Sequence, residues 1–439
     1  MNPRTWLTAL LLTGLSFGLG YGVEQSDFPK IILLYAPFFL VYLAIFRFVK
    51  TEKDIRFFIG LGIFLRFCLL FYVPNLSDDI YRFVWDGRLL IHGFNPFDHL
   101  PSYYLENGIA IEGITKDLFD KLNSPEYFTI YPPMAQLTFA IACLLFPMSV
   151  LGSAIVMKLF LFAAEIGSIF LIIKLLKHFQ LPFKNVLLYA LNPFIIIELT
   201  GNLHFEGAMI FFLLLAFWWL LKNRTALSAG ALALSIACKL MPLIFLPLLI
   251  RRLGWRKSFL YFLMVGVMLA VLFAPLASGV FLNNFGESLN LYFQKFEFNA
   301  SIYYLARWVG YQYKGYNLIH QIGPALAFCT LLGVAALAVF DKNPNWKSLP
   351  VKMLFAISLY LSFTTTVHPW YVSLPVVLCL FTRFRFPILW SGLVILTYVN
   401  YSYEPYFENL WVVGIEYFLV SAYFVWELFF VKKQMPALA

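Results

Sequence analysis

The sequence predicts an all-α, polytopic bundle of transmembrane helices, and three observations predict it. Hydrophobic residues make up 61% of the 439 and charged residues only 13%, too few to clothe a soluble protein. Apolar runs of the length a bilayer span needs recur along the chain. Lysines and arginines gather in short clusters between those runs, as cytoplasmic loops do. The net charge of +9 therefore reports membrane topology, not nucleic acid, which would require a continuous basic face.

The first run, residues 6–22, follows Arg4 like the h-region of a signal peptide. No small-residue cleavage site follows Gly20 to Gly22, so an uncleaved helix is expected. Further runs cover residues 31–49, 57–73, 134–150, 154–173, 186–199, 207–221, 226–250, 258–277, 318–340, 350–365, 371–381, 387–400 and 410–431, giving about 12–14 membrane segments. Basic clusters at Arg47/Lys50/Lys53/Arg56, Lys174/Lys177/Lys184, Lys222/Arg224, Arg251/Arg252/Arg256/Lys257, Lys342/Lys347, Arg383/Arg385 and Lys432/Lys433 mark the side expected to be cytoplasmic. Keeping them on one side imposes two conditions. One of the runs 134–150 and 154–173 does not cross, and 226–250 is a hairpin with Lys239-Leu-Met-Pro242 at its apex. The chain reads as one multi-pass domain, residues 1–439, with a first external loop at 74–130 and a second at 278–317. The first loop holds nine carboxylates against four basic residues, and a helix from Asp79 to His92 is expected to lie along the interface. Gly14 and Gly18 have a small-residue spacing suited to close helix contact. Lys158 and Glu165, seven apart, share a helix face where they can join one partner network. Five cysteines, Cys68, Cys143, Cys238, Cys329 and Cys379, lack metal-ligand spacing and read as packing residues.

The chemistry is expected on the other side, in four polar interruptions. Asp78 and Asp79, followed by Tyr81, Arg82, Asp86 and Arg88, offer a proton acceptor and phosphate partners at a membrane boundary. They could equally cap the helix that follows. Gly201-Asn-Leu-His204-Phe-Glu206-Gly207, preceded by Asn192-Pro193 and Glu198, places ionisable groups at membrane depth, where they usually face a cavity or a partner. Its His-x-Glu spacing alone is no zinc signature. Asn299-Ala-Ser301 with Arg307, and Thr364-Thr-Thr-Val-His368-Pro369-Trp370-Tyr371, supply further polar and aromatic groups. An aromatic belt explains Trp370 and Tyr371 but not His368, which can donate a hydrogen bond to a phosphate or sugar. No glycine-rich nucleotide loop is present, so an activated sugar would have to be lipid-borne.

The stretch from Asp78 to Arg88, with Gly93-Phe-Asn95-Pro96, resembles the first external loop of the GT-C class of integral-membrane glycosyltransferases. It is most similar to bacterial polyprenyl-phosphate-mannose-dependent mannosyltransferases and, more distantly, to the catalytic mannosyltransferase of the GPI-anchor pathway. The resemblance continues through Tyr131-Pro-Pro133, Asn192-Pro193 with His204, Lys239-Leu-Met-Pro242, Phe298-Asn299-Ala-Ser301 and His368-Pro-Trp-Tyr371, and so covers nearly the whole chain. It implies an essential carboxylate at Asp78 or Asp79, with Asp78 favoured. Relatives often separate the acidic pair by one residue. Here the two are adjacent, so no divalent metal or other cofactor is expected.

The resemblance implies a hexose, mannose by analogy, moved from a polyprenyl-phosphate donor to an acceptor hydroxyl of a lipid, glycan or protein. The reaction would run at the extracytoplasmic face of the inner membrane, with inversion and an aspartate as general base. Tyr81, Arg82, Arg88, His204, Glu206, Lys239, Asn299, Arg307, His368, Trp370 and Tyr371 are the residues expected to bind donor phosphate or substrate. The isoprenoid tail is expected between the spans flanking loop 74–130. A lipid or solute transporter is the competing class, but it predicts paired halves and polar groups at the midplane, and the sequence has no internal repeat.

Overall fold

A computed structural model describes residues 3–431, so the last basic cluster, Lys432/Lys433, lies outside the described residues. The chain is all helical, with no strand among the described residues and one isolated bridge between Phe298 and Thr366. Five helices are long and apolar enough to cross a membrane: Phe28–Phe48, Val150–His178, Trp255–Leu276, Ile319–Val339 and Leu410–Phe429. A pair bent by 46°, Phe183–Ala190 with Pro193–Gly201, can form a sixth span, and six shorter apolar helices fill out the bundle. The long helices turn apolar stripes outward. Phe259, Leu263, Val267 and Val271 are exposed along one face, as are Trp411, Ile415, Phe418 and Phe429 along another. Water would oppose such stripes, whereas hydrocarbon accepts them.

The helix lengths are compatible with both topological conditions. Pro133–Leu145 has 13 residues, about 20 Å at 1.5 Å per residue, and is too short to span; Val150–His178, with 29, is long enough. Ser228 Oγ and Tyr261 OH lie 2.9 Å apart, which brings the start of Thr225–Cys238 beside the start of Trp255–Phe273. The basic residues before and within these helices therefore share one end of the bundle. The chain between them rises to Lys239, whose extended backbone (φ −161°, ψ 136°) ends the first limb, and returns through Leu246–Leu253.

Two buried cations hold the core and answer different partners. Arg66 Nε meets Glu165 Oε2 at 2.5 Å, and its Nη1 donates to the carbonyls of Gly62 and Ala190. Lys158 instead donates to the carbonyls of Leu69 (3.0 Å) and Tyr72 (2.9 Å), with Nζ 3.5 Å from the centre of the Tyr72 ring. The shared network expected for Lys158 and Glu165 is thus replaced by two separate ones. Of Gly14 and Gly18 in the first helix, Gly18 abuts Leu34 while Gly14 faces open space.

The helix expected along the interface, Asp79–Ile91, is buried instead. Phe83, Val84, Trp85 and Leu89 are each at most 1% exposed. Gly87 explains the depth: a Cβ there would lie 2.6 Å from the Phe139 carbonyl oxygen and 2.7 Å from Cys143 Sγ. Only glycine lets this helix press onto Pro133–Leu145. Short helices Pro101–Glu106 and Lys116–Phe119 cover its other side, so its aromatics pack against protein and not headgroups.

The two expected loops interlock. Asn95 Nδ2 donates to the Leu276 carbonyl (2.8 Å), Ser278 Oγ to Asp98 Oδ1 (2.6 Å), Asn284 Nδ2 to the Phe97 carbonyl (2.8 Å) and Ser288 Oγ to the Phe128 carbonyl (2.8 Å). The backbone of Phe298 then pairs with Thr365 and Val367 at 3.1 and 2.8 Å. That pairing sets the second loop beside the segment leading to His368.

Candidate active site

Asp78 occupies the N-cap position of Asp79–Ile91, yet its side chain makes no capping bond. Both carboxylates turn to one donor: Asn123 Nδ2 lies 2.9 Å from Asp78 Oδ1 and 2.7 Å from Asp79 Oδ1. A single amide cannot offset two adjacent charges. Burial first, and then the neighbouring Asp79, raise the Asp78 carboxyl above its ordinary range, with Asn123 opposing. A carboxylate so placed is a better proton acceptor than one in water.

The pair opens onto a cavity of about 310 Å³ whose wall includes Gln25, Asn123, Tyr127, Thr129, Lys239, Glu297, His368, Trp370, Tyr371, Tyr401 and Tyr406. Three rings stack there, of which His368 and Trp370 line the cavity and His204 lies behind them. His204 stacks on Trp370 (3.6 Å between centroids, 18°), and Trp370 on His368 (4.7 Å, 1°). His368 also packs against Phe298 at 5.2 Å, a contact set by the Phe298 bridge. Burial first, then the neighbouring Lys239 and His204, hold the His368 imidazole down to about 3. It can donate one hydrogen bond here but carries no charge at neutral pH.

Lys239 projects from the hairpin apex, its Nζ 3.0 Å from Glu206 Oε1 and 5.1 Å from the centre of the Tyr371 ring. It also lines a second cavity of about 360 Å³, shared with Ile130 and Tyr371 but otherwise walled by groups such as Leu240, Met241, Leu243, Ile244 and Leu289. Leu243, Ile244, Tyr360 and Thr364 continue into a third of about 310 Å³ alongside Ile319–Val339. A polar chamber thus adjoins an apolar trough, and Lys239 stands at the junction. The trough runs by Met241–Phe245, Ile319–Val339 and Leu349–Phe363, not between the spans on either side of loop 74–130.

Several residues expected in the site stand apart from this chamber. Arg88 is spent on carbonyls, Nε to Pro147 (2.8 Å) and Nη1 to Gly113 (2.6 Å), and holds loops together. Arg82 reaches the wall, but its Nε pairs with Asp86 (2.9 Å) and its Nη1 with the carbonyls of Ser124 and Tyr127. Tyr81 lies outside under Lys121. Arg307 sits one layer back, paired with Glu297 and stacked over Tyr304 at 4.4 Å. Asn299 is buried at φ +45°, its backbone N–H donating to Glu408 Oε1 and its amide to Glu416. Glu206 backs Lys239 without lining the chamber.

A family model described as alpha-(1->6)-mannopyranosyltransferase, N-terminal domain, matches residues 30–253, just over half of the chain. The chain belongs to this family. It is a multi-pass, GT-C-like membrane mannosyltransferase, and a sugar donor and an acceptor follow from that activity. No curated protein matches it. The matched part of the mannosyltransferase carries Asp78, Asp79, His204 and Lys239, while His368 and Trp370 come from the part beyond it. Two further residues emerge from the geometry. Asn123 holds the acidic pair from an irregular loop with no pattern to mark it. Glu198 stands out in sequence as a carboxylate within an apolar run, but its partners His204 and Tyr398 appear only in the fold.

Proposed function

We propose that this mannosyltransferase takes mannose from a polyprenyl-phosphate donor and passes it to an acceptor hydroxyl in the chamber. The observation that carries the reading is the meeting of an acidic chamber with an apolar trough at a lysine. A lipid phosphate sugar has the same three parts in the same order. The trough takes the isoprenoid, Lys239 the phosphate, and the chamber the sugar.

The acceptor O–H loses its proton to an aspartate of the pair as its oxygen bonds to the anomeric carbon. The bond from that carbon to the phosphate oxygen breaks, and its electron pair leaves with the polyprenyl phosphate. Lys239, fixed by Glu206 and Tyr371, stabilises that growing charge without rearrangement. One displacement inverts the anomeric centre, so an α(1→6) product of the kind the family is named for requires a β-linked donor. Cationic assistance from Lys239 makes a divalent ion unnecessary, and chelation with EDTA leaves the rate unchanged. The chamber lies at the end of the bundle away from the basic clusters, which supports action at the extracytoplasmic face of the inner membrane.

The test is transfer from polyprenyl-phosphate mannose to a mannoside acceptor by protein reconstituted in liposomes. Asp78→Asn and Asp79→Asn are assayed separately, and loss of the base lowers the rate by about 10²- to 10⁴-fold in at least one. Full activity in both variants refutes the reading.

A further inference from the structure

Behind the acidic pair a third carboxylate, Glu198, is buried where the proposed displacement gives it no task. Ile196–Gly201 is wound as a π-helix, and the backbone N–H groups of Asn202 and His204 donate to carbonyls five residues back, at Ile197 and Leu199. Such turns are rare and recur at functional sites. This one swings Glu198 and His204 onto the same side.

Three groups then stand in line. Asp79 Oδ2 lies 4.0 Å from His204 Nδ1, and His204 Nε2 lies 3.3 Å from Glu198 Oε2. The other Glu198 oxygen accepts from Tyr398 OH at 2.8 Å. Glu198 has no exposed surface, and neither its Oε2 nor His204 Nε2 has a hydrogen-bond partner among the described residues, so the 3.3 Å between them is a close approach and not a formed bond. A buried carboxylate is costly unless something opposite in charge faces it. The imidazole, clamped against Trp370, is the group that can become so.

We propose that His204 and Glu198 form a proton relay behind Asp79, which makes Asp79, and not Asp78, the base that touches the acceptor. The proposal rests on the displacement described above. The imidazole presents Nε2 to Glu198 and Nδ1 to Asp79. A separation of 4.0 Å is too long for a hydrogen bond, so the resting line is open at Asp79. When Asp79 takes the acceptor's proton, that proton can bridge to Nδ1. The imidazolium is then balanced by Glu198, Asp79 is restored as a carboxylate, and the proton returns through Asp79 to chamber water before the next turnover. Atoms and charge balance without another reactant. The titratable groups around the relay are Asp78, Asp79, His368, Lys239 and the phenols of Tyr35, Tyr72, Tyr371, Tyr398 and Tyr401. Among the described residues Asp78 has no such line behind it; its neighbours are Asn123, Asp79 and Tyr401. His204 and Glu198 are positioning residues, since they act through Asp79.

The test compares Asp79→Asn, Asp78→Asn, Glu198→Gln and His204→Gln in liposomes with polyprenyl-phosphate mannose. The relay predicts that E198Q and H204Q lower kcat on the order of 10²-fold with KM little changed and shift the pH–rate profile. It also predicts that adding E198Q to D79N costs no further rate, because the relay is already disconnected. H204Q, which keeps a hydrogen-bonding side chain, decides the matter if E198Q does not fold. Wild-type kcat and pH profile in a folded E198Q or H204Q overturns the relay, as does a multiplicative loss in the double variant. Loss in D78N with activity retained in D79N also overturns it while leaving an aspartate base in place. Activity in both aspartate variants removes the displacement reading itself.

Discussion

Asp78 and Lys239 show how single residues trade stability against reaction. In the folded chain Asp78 keeps its proton to higher pH than an ordinary aspartate, because burial and Asp79 oppose its charge. The native state then binds a proton that the unfolded state has released, so stability falls as pH rises from the ordinary aspartate pKa of about 4 through the native value. Asp78→Asn removes that cost. The variant should melt at a higher temperature than wild type at pH 7, with the gap closing near pH 3. A pH series of melting curves checks this, and an unchanged or lower melt at pH 7 contradicts it. Lys239 has the opposite balance, since it answers the buried Glu206 as well as the proposed phosphate. Lys239→Met should lower kcat on the order of 10²-fold. Adding Glu206→Gln should recover thermal stability without recovering rate, which separates the two duties of the lysine.

Two elements carry the geometry of the site: the Asp79–Ile91 helix and the limb after Lys239. Gly87→Val would drive a side chain into the backbone of Phe139 and should destabilise the fold by roughly 1–3 kcal/mol. It should also cost activity, because the helix carries Asp79; thermal melts beside transfer assays measure both. Filling the trough with Ile244→Trp should raise KM for a long-chain polyprenyl donor far more than for a short-chain one, and equal effects on both would remove the trough from donor binding. These elements also show what the sequence could and could not reveal. The nearness of the polar turns at Asp78, His204, Lys239 and His368 was legible because ionisable groups beside apolar spans must find a cavity or each other. Lys239 was placed at a hairpin apex by charge parity alone. The depth of the Asp79–Ile91 helix was not legible, because an amphipathic aromatic helix has one pattern whether lipid or protein covers it. Arg88, Arg307 and Asn299 were equally opaque: a cation or amide at a loop looks the same in sequence whether it binds a ligand, a carbonyl or a neighbouring carboxylate. Glu198 was visible, but its meaning depends on Tyr398, 200 residues later.

At the scale of the whole molecule, the bundle divides its labour between its two ends. One gathers basic loops, and the other interlocks two long loops into a roof over carboxylates, aromatic rings and a lysine. The apolar trough runs from that roofed chamber alongside Ile319–Val339. On the proposed reading the trough serves a lipid-linked donor and not a water-soluble one, and the acidic pair beneath the roof serves group transfer and not transport. The measurement that bears most directly on this division is a structure of the protein with polyprenyl-phosphate mannose bound. The account predicts the phosphate within hydrogen-bonding reach of Lys239 Nζ, the mannose beside Asp78 and Asp79, and the isoprenoid along Leu243, Ile244 and Tyr360. A donor bound with its phosphate away from Lys239 and its chain outside the trough would contradict it.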